Sequence, residues 1–238
     1  MIDSAMIKSQ PARAAARLIG LTMLGLILLY LIRYIPGADY TIKAGARMIV
    51  FILIIWAGRP ASDRASRQIW QRLFRPVPFP ARQLLLSLLG GLILLVVLYL
   101  LARPLADLFQ IENVVREITE RTGATRRSMI GIILYIPLVN ALSEEIFFRG
   151  LLTGELSRLL TERQGCRVAS VLFALYHLTI FRSWFSIPQL LLALTGLFVL
   201  GMVLSRLFVR NGHIYGVWIL HAVLNLTIFA FALPFFPA

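Results

Sequence analysis

The sequence is short of cysteine and of acidic residues. It holds one cysteine, Cys166, so no intrachain disulfide can form. Asp and Glu number 11 against 24 Lys and Arg, and charged residues fill only 15% of the 238 positions. A soluble domain of this size carries about 25% charged residues. This shortage of charge excludes an ordinary water-soluble globular domain.

Long apolar runs are what the sequence has in quantity. Hydrophobic residues fill 59% of the positions, and the mean hydropathy is +0.81. Several runs approach the roughly 20 apolar residues that cross a bilayer as a helix. We predict an all-α fold, a polytopic transmembrane helical bundle of about seven spans, with an eighth span as an alternative. The bundle forms a single membrane domain over residues 1–238. The predicted spans are Arg17–Ile35, Ile42–Ala57, Leu84–Ala102, Ser128–Phe148, Val168–Ile180, Ile187–Arg206 and Ile214–Phe231.

The excess of basic residues raises the question of nucleic acid. The formal net charge is +13, but the basic residues lie in the gaps between apolar runs and no nucleic-acid-binding motif accompanies them. Such charges flank membrane spans and set their orientation. Counted per gap, 15 lie on the side of the N-terminus and 9 on the other side. We predict a multi-pass protein of the plasma membrane, a bacterial inner membrane, with a cytoplasmic N-terminus. Its expected partner is membrane lipid and not nucleic acid.

Ionisable residues inside apolar runs are rare in this sequence. Such a group costs about 2.5–3.5 kcal/mol at the centre of a membrane helix, so its presence indicates a function. Among the acids only Glu144 and Glu145 lie within an apolar run, and the other acids, Glu155 included, are assigned to gaps or interfacial stretches. Of the three histidines, His177 and His221 lie inside predicted spans. The embedded titratable set is therefore two acids and two histidines.

Helical spacing sorts these residues. Glu145 and Arg149 are four residues apart and can form an ion pair on one face. Glu144 points about 100° away from Glu145 and has no cation at helical spacing. His221 and Asn225 share a face. Because structural pairing explains Glu144 least well, we predict that it is a general base.

Depth groups the same residues. Glu144, His177, His221 and Asn225 all lie about 8–16 Å from the predicted cytoplasmic ends of their spans. Taken singly, a histidine within a span often bridges helices, Asn225 can hold two helices together, and the Glu145 ion pair is typical of a structural contact. Polar stripes on three helices at one depth favour a joint site.

Three short motifs resemble those of the CPBP family, which includes CAAX proteases and bacteriocin-processing or abortive-infection proteins. The family patterns are Glu-Glu-x-x-x-Arg, Phe-x-x-x-His and His-x-x-x-Asn (or Asp). The matches are Glu144-Glu145-Ile-Phe-Phe-Arg149, Phe173-Ala-Leu-Tyr-His177 and His221-Ala-Val-Leu-Asn225. All three occur in the family's order within predicted spans. The resemblance implies a CPBP-like catalytic core over residues 125–231.

The resemblance implies peptide-bond hydrolysis inside the membrane by an intramembrane endopeptidase. It implies that Glu144 activates water with the help of His177, and that His221 and Asn225 stabilise the oxyanion. It implies supporting roles for Glu145, Arg149 and Phe173. In the best-known branch the substrate is a prenylated Cys-a-a-X tail that loses its last three residues. In a bacterium we expect a peptide or lipidated-protein substrate such as a leader peptide or a bacteriocin precursor.

Metal dependence is open on the sequence. One Glu and two His can bind Zn²⁺ with water in the fourth position, and the zinc set would be Glu144, His177 and His221. The sequence has no His-Glu-x-x-His, and a glutamate-based site spread over three helices can work without a metal. We favour a metal-free mechanism with no cofactor.

Other functions and mechanisms stay open beside the protease. A proton-coupled transporter would use the same acids and histidines as a relay, although the sites cluster in the last four spans and no repeated half-structure is present. A non-catalytic membrane immunity or scaffold protein would bind without cutting. Cys166 lies in a polar loop without a nearby histidine, and no Gly-x-Ser-x-Gly-like context surrounds Ser143, so neither favours a covalent mechanism.

Overall fold

Helices form every regular element of the residues that the computed structural model describes, which are 4–32, 34–35, 40–58, 64–77, 81–122 and 129–236. Two π-helical segments, π1 (Ile136–Asn140) and π2 (Ile146–Thr153), join α7, α8 and α9 into one continuous helix. The helices are α1 (Ser4–Ile32), α2 (Tyr40–Gly58), α3 (Arg64–Leu73), α4 (Ala81–Leu100), α5 (Ala102–Phe109), α6 (Ile111–Thr122), α7 (Met129–Tyr135), α8 (Ala141–Glu145), α9 (Gly154–Leu159), α10 (Glu162–Tyr176), α11 (Leu178–Phe181), α12 (Ile187–Asn211) and α13 (Tyr215–Ala232).

Six helical stretches among the described residues are long and apolar enough to cross a membrane. They are Gln10–Ile32, Ala81–Leu100, Gly131–Leu159, Glu162–Phe181, Ile187–Asn211 and Tyr215–Phe235. In the second of them only 11% of the apolar window is buried inside the protein, which leaves its leucines free to face lipid. The predicted all-α, multi-pass membrane bundle is confirmed. The predicted span Ile42–Ala57 corresponds to α2, which is not among the six.

The fourth predicted span is longer than the sequence pattern indicates. The pattern ends it at Phe148, but the helix continues through π2 and α9 to Leu159. Arg149 and Glu155, assigned by the pattern to a loop and a gap, are buried in this helix with 1% and 0% exposure. These assignments are wrong because each charge has a partner inside the protein, Glu145 for Arg149 and Arg158 for Glu155. Arg149 is therefore not one of the loop charges that set orientation.

The chain divides into two compact units. Unit 1 comprises Met1–Arg75, Glu145–Thr179 and Leu194–Ile214, and unit 2 comprises Pro76–Glu144, Ile180–Ala193 and Tyr215–Ala238. The division passes between the two consecutive acids of the first motif. The single membrane domain over 1–238 and the catalytic core over 125–231 stay predictions.

Aromatic rings form the core of unit 1 around π2. Phe147 stacks on Phe51 of α2 with ring centroids 4.2 Å apart. Phe148 meets the ring of Phe173 edge-on at 5.2 Å and lies 5.5 Å from Tyr176, both in α10. None of these five side chains is more than 3% exposed. Because aromatic pairs add about 0.5–1.5 kcal/mol each beyond their burial, this layer fixes π2 between α2 and α10.

In unit 2, α13 packs closely along α4. A Cβ atom at Gly91 would lie 2.5 Å from Val223 Cγ1 and 3.0 Å from Thr227 Oγ1, so this approach requires glycine. One end of the contact is held by Tyr99 and Phe231, whose rings meet edge-on at 5.9 Å. Close approach at small residues is a common basis of helix association in membranes. The contact positions α13, which carries the third motif.

Candidate active site

Glu144 lies on α8, directly after the π1 segment of unit 2. The Asn140 side chain, at the end of π1, donates from Nδ2 to Glu144 Oε1 at 2.7 Å. Pro137, also in π1, has no N–H to donate within the helix. Its carbonyl accepts a hydrogen bond from Trp218 Nε1 of α13 at 3.0 Å. Single π turns in α-helices occur frequently at functional sites. Glu144 thus lies on α8, and α13 contacts the π1 turn directly before α8 through the Trp218 hydrogen bond.

His221 of α13 is the histidine that unit 2 brings to this carboxylate. Its Nε2 lies 3.8 Å from Glu144 Oε2. This separation is too long for a direct hydrogen bond. Glu144 is 2% and His221 5% exposed. Asn225 follows His221 by four residues on α13 and is partly buried. The Glu144 carboxylate therefore has an amide and an imidazole as close neighbours.

Glu145 has a different environment, in unit 1. Arg149 Nη1 donates to Glu145 Oε1 at 3.0 Å, and the two side chains are 1% and 0% exposed. The guanidinium carbon of Arg149 lies 4.4 Å above the centroid of the Phe173 ring. A cation over an aromatic face gains about 2 kcal/mol when both are desolvated. The predicted ion pair is present, and Phe173 of the second motif forms one wall of it.

His177 lies at the C-terminal end of α10 in unit 1. Its Nδ1 lies 2.8 Å from the carbonyl oxygen of Phe173, four residues earlier. Because a carbonyl oxygen can only accept, Nδ1 is the donor in this hydrogen bond. The rings of Phe173 and Tyr176 meet the imidazole edge-on at 4.8 and 5.0 Å. These contacts hold the orientation of this ring.

The structure groups the predicted site residues by unit. Unit 2 brings Glu144 and His221 together and places Asn225 on the same helix as His221. Unit 1 brings together four further motif residues, namely Glu145, Arg149, Phe173 and His177. Their catalytic or supporting roles stay predictions.

Sequence reasoning missed two polar groups. Asn140 lies in the apolar run that contains Glu144, four residues before it, and this helical spacing was the available signal. Glu155 is fully buried, accepts from Arg158 Nη2 at 3.0 Å, and forms a short hydrogen bond with Ser66 of α3. The Ser66 contact joins residues 89 positions apart, and no local pattern signals it.

The zinc alternative can be compared with the side chains present. Within the part of the chain that the structure describes, no group of three or more His, Cys, Asp or Glu side chains is arranged to hold a metal ion. A catalytic zinc needs three such protein ligands. Metal binding by Glu144, His177 and His221 stays an alternative prediction, and no step is derived through a metal. The metal-free mechanism stays a prediction.

One family model matches part of the chain. Residues 126–227 match the family model described as Rce1-like, Type II CAAX prenyl endopeptidase Rce1-like. No curated protein and no solved structure is significantly similar to the chain. The matched segment covers less than half of the chain but contains all three motifs, from Glu144 to Asn225. The match confirms the resemblance and supports CAAX-type intramembrane protease activity at the level of the family. Residues 126–227 carry the sequence pattern of the Rce1-like type II CAAX prenyl endopeptidases, consistent with the CPBP family.

Proposed function

We propose that this protein is a glutamate-dependent intramembrane endopeptidase of the CAAX type. The observation that carries the proposal is the buried Glu144 carboxylate, held by Asn140 and 3.8 Å from His221 Nε2, in the segment that matches the endopeptidase family. A positioned carboxylate of this kind suits proton transfer, which contributes about 10²–10⁴-fold to a rate.

In the proposed mechanism Glu144 accepts a proton from water while the water oxygen attacks the carbonyl carbon of the scissile bond. The electron pair of the carbonyl π bond moves to the oxygen, which becomes the oxyanion of a tetrahedral intermediate. His221 and Asn225 donate hydrogen bonds to this oxyanion, and donors in a dry site stabilise developing charge strongly. The protonated Glu144 then gives its proton to the leaving nitrogen as the C–N bond breaks. This sequence consumes one water and regenerates the carboxylate.

His177 is proposed to position the water, as the family resemblance implies. Its Nδ1 donates to the Phe173 carbonyl, and in the proposed mechanism Nε2 contacts the water. The fixed ring supports this role, because a positioning group must not rotate during the reaction. Glu145 and Arg149 are proposed to support the helix without touching the substrate.

The substrate is proposed to be a membrane-associated peptide or lipidated protein cut near its C-terminus. The proposed site residues lie in helical stretches that are long and apolar enough to cross a membrane. The family model is named for prenyl endopeptidases. We propose the bacterial plasma membrane as the location and no resident cofactor.

The first experiment compares wild-type protein, Glu144→Gln and Glu112→Gln in detergent. Glu112 is an exposed acid of α6 and provides a control with the same charge change. The substrates are a fluorogenic peptide library and a farnesylated Cys-a-a-X peptide, each with and without a chelator. We expect cleavage by wild type and the control, a loss of about 100-fold or more in Glu144→Gln, and no effect of chelator.

Other outcomes separate the alternatives. Equal cleavage by wild type and Glu144→Gln would remove Glu144 from the mechanism. Loss of cleavage with chelator alone would contradict the metal-free mechanism. If no substrate is cut but proteoliposomes show a proton flux that depends on Glu144, the transporter replaces the protease.

A further inference from the structure

Helix α3 presents one face that is rich in arginine. Arg64, Arg67 and Arg72 are exposed, and Gln68 and Gln71 between them are exposed as well. At about 100° per residue these five side chains fall within an arc of roughly 140°. The three arginines, called the arginine face below, thus share one side of a strongly amphipathic helix.

The apolar side of α3 is occupied by the protein itself. Leu73 is fully buried, and a Cβ atom at Gly150 would lie 2.9 Å from its Cδ2. A Cβ atom at Gly154 would lie 2.9 Å from Ile69 Cγ2. One helical turn apart, the two glycines form a groove for these two side chains. An interfacial helix normally buries its apolar side in the bilayer, but α3 has already buried it in unit 1.

The groove places α3 beside the last turns of a candidate span. Gly150 and Gly154 lie nine and five residues before Leu159, where the span ends. This corresponds to about 8–14 Å of helix. The headgroup region adds roughly 5–8 Å on each side of the hydrocarbon core. The span Gly131–Leu159 has 29 residues, about 44 Å of helix, which matches a bilayer together with its headgroups, about 40–45 Å. We therefore expect α3 near the boundary between the hydrocarbon and the headgroups.

The arginine face carries three positive charges on one side of α3. The sequence of α3 contains no Asp or Glu. Over the residues that the structure describes, none of these three guanidinium groups forms an ion pair. Phe74, directly after the helix, is 47% exposed, and an exposed aromatic ring beside basic residues is typical of a membrane interface. We propose that the arginine face binds the anionic headgroups of membrane phospholipid.

Lipid binding at the arginine face would also affect the helix that carries the first motif. Gly150 follows Arg149 directly, and Ser66 on α3 is hydrogen-bonded to the buried Glu155 of α9. Lipid bound to the arginine face would stabilise α3 in its groove and hence the helix turn that carries Arg149. The lipid interaction itself does not depend on the proposed protease activity.

The test uses the full chain in detergent, titrated with phosphatidylglycerol or phosphatidylcholine, with bound lipid counted by native mass spectrometry. Wild type should prefer phosphatidylglycerol. The variant Arg64→Gln/Arg67→Gln/Arg72→Gln should lose affinity for it on the order of 100-fold, about fivefold for each arginine near a membrane surface. Its affinity for phosphatidylcholine should not change. The variant with three lysines instead should keep most of the preference, which separates charge from misfolding.

A matched control removes the same charge elsewhere. Arg82→Gln/Arg116→Gln/Arg182→Gln changes three exposed arginines of unit 2 and should leave the affinity unchanged. Equal affinity of wild type and the α3 variant would overturn the proposal and leave the arginines with a topogenic role. Equal losses in both triple variants would overturn it in favour of a net-charge effect. Competition by inorganic phosphate at the concentrations used for lipid would assign the site to free phosphate.

Discussion

Glu144 and Glu145 are consecutive residues of one helix, and both are buried, yet their carboxylates have different partners. Glu145 pairs with the guanidinium of Arg149, which itself lies on the ring of Phe173. Glu144 accepts from the amide of Asn140 and lies near the imidazole of His221. One acid is bound to a permanent cation, and the other has neighbours that can be neutral.

The difference shows that burial alone does not identify a catalytic acid. Removing either partner of the Glu145–Arg149 pair would leave a buried charge without its counterion. A carboxylate held by an amide keeps its orientation, while its second oxygen can still exchange a proton. The comparison therefore supports the proposed division, with a structural role for Glu145 and a catalytic role for Glu144. The following predictions test this division from the largest expected effect to the smallest.

The largest effect on stability is expected from Glu145→Gln. The substitution leaves the Arg149 charge buried without its counterion, which costs about 3–5 kcal/mol. Glu144→Gln should change the free energy of unfolding by much less, because it leaves no buried cation behind. Reversible unfolding in mixed micelles measures both values.

A double variant sharpens this result. Glu145→Leu combined with Arg149→Met removes both charges, and we expect it to recover most of the stability that Glu145→Gln loses. If Glu144→Gln destabilised the protein as much as Glu145→Gln, the proposed division of roles would be wrong.

A smaller effect, on turnover, is expected from Asn140→Leu. A hydrogen bond to a charged group is worth about 1.5–3 kcal/mol, which corresponds to a 10- to 150-fold lower kcat. KM should change little, because Asn140 is proposed to orient Glu144 and not to bind the substrate. The matched control is Ser143→Ala, whose hydroxyl donates only to the Asn140 carbonyl at 2.7 Å. A parallel loss of kcat in Ser143→Ala would assign the effect to the helix.

The contact between Arg149 and Phe173 should contribute less again. A double-mutant cycle of Arg149→Met and Phe173→Leu should give a coupling free energy of about 0.5–2 kcal/mol, because the ring lies under the cation. Unfolding of the four proteins measures it. A coupling near zero would show that Phe173 supports the ion pair by packing alone.

The smallest effect concerns His213, which lies outside the candidate spans. Burial, and then the charge of Arg75, lower the pKa of His213 below its ordinary value of 6.5. The unfolded chain therefore binds more protons than the folded one, and stability falls as the pH drops below about 6.5. We expect the unfolding temperature to fall less in His213→Gln than in wild type when the pH is lowered from 7.5 to 5.5. An equal loss in both proteins would assign the acid sensitivity to other groups.

Local spacing predicts part of this structure well. The helical class, the Glu145–Arg149 pair and the shared face of His221 and Asn225 follow from residues three or four positions apart. Charge inside a span is harder to interpret, because a single sequence does not show whether a buried partner exists. For Glu155 the partner Arg158 lies three residues away, but the second partner, Ser66, comes from a distant helix. The role of Asn140 likewise depends on a π turn that no residue pattern announces.

The π turns also determine which neighbour each side chain meets. At the end of π2 the backbone N–H of Gly154 donates to the carbonyl of Arg149, five residues earlier. A regular α-helix would close its turns at four residues. Deleting one residue between Ile146 and Thr153 would therefore leave the hydropathy of the span almost unchanged but rotate everything after it by about 100°. The glycine groove would then turn away from α3, so the length of this segment in residues is itself a constraint on the protein.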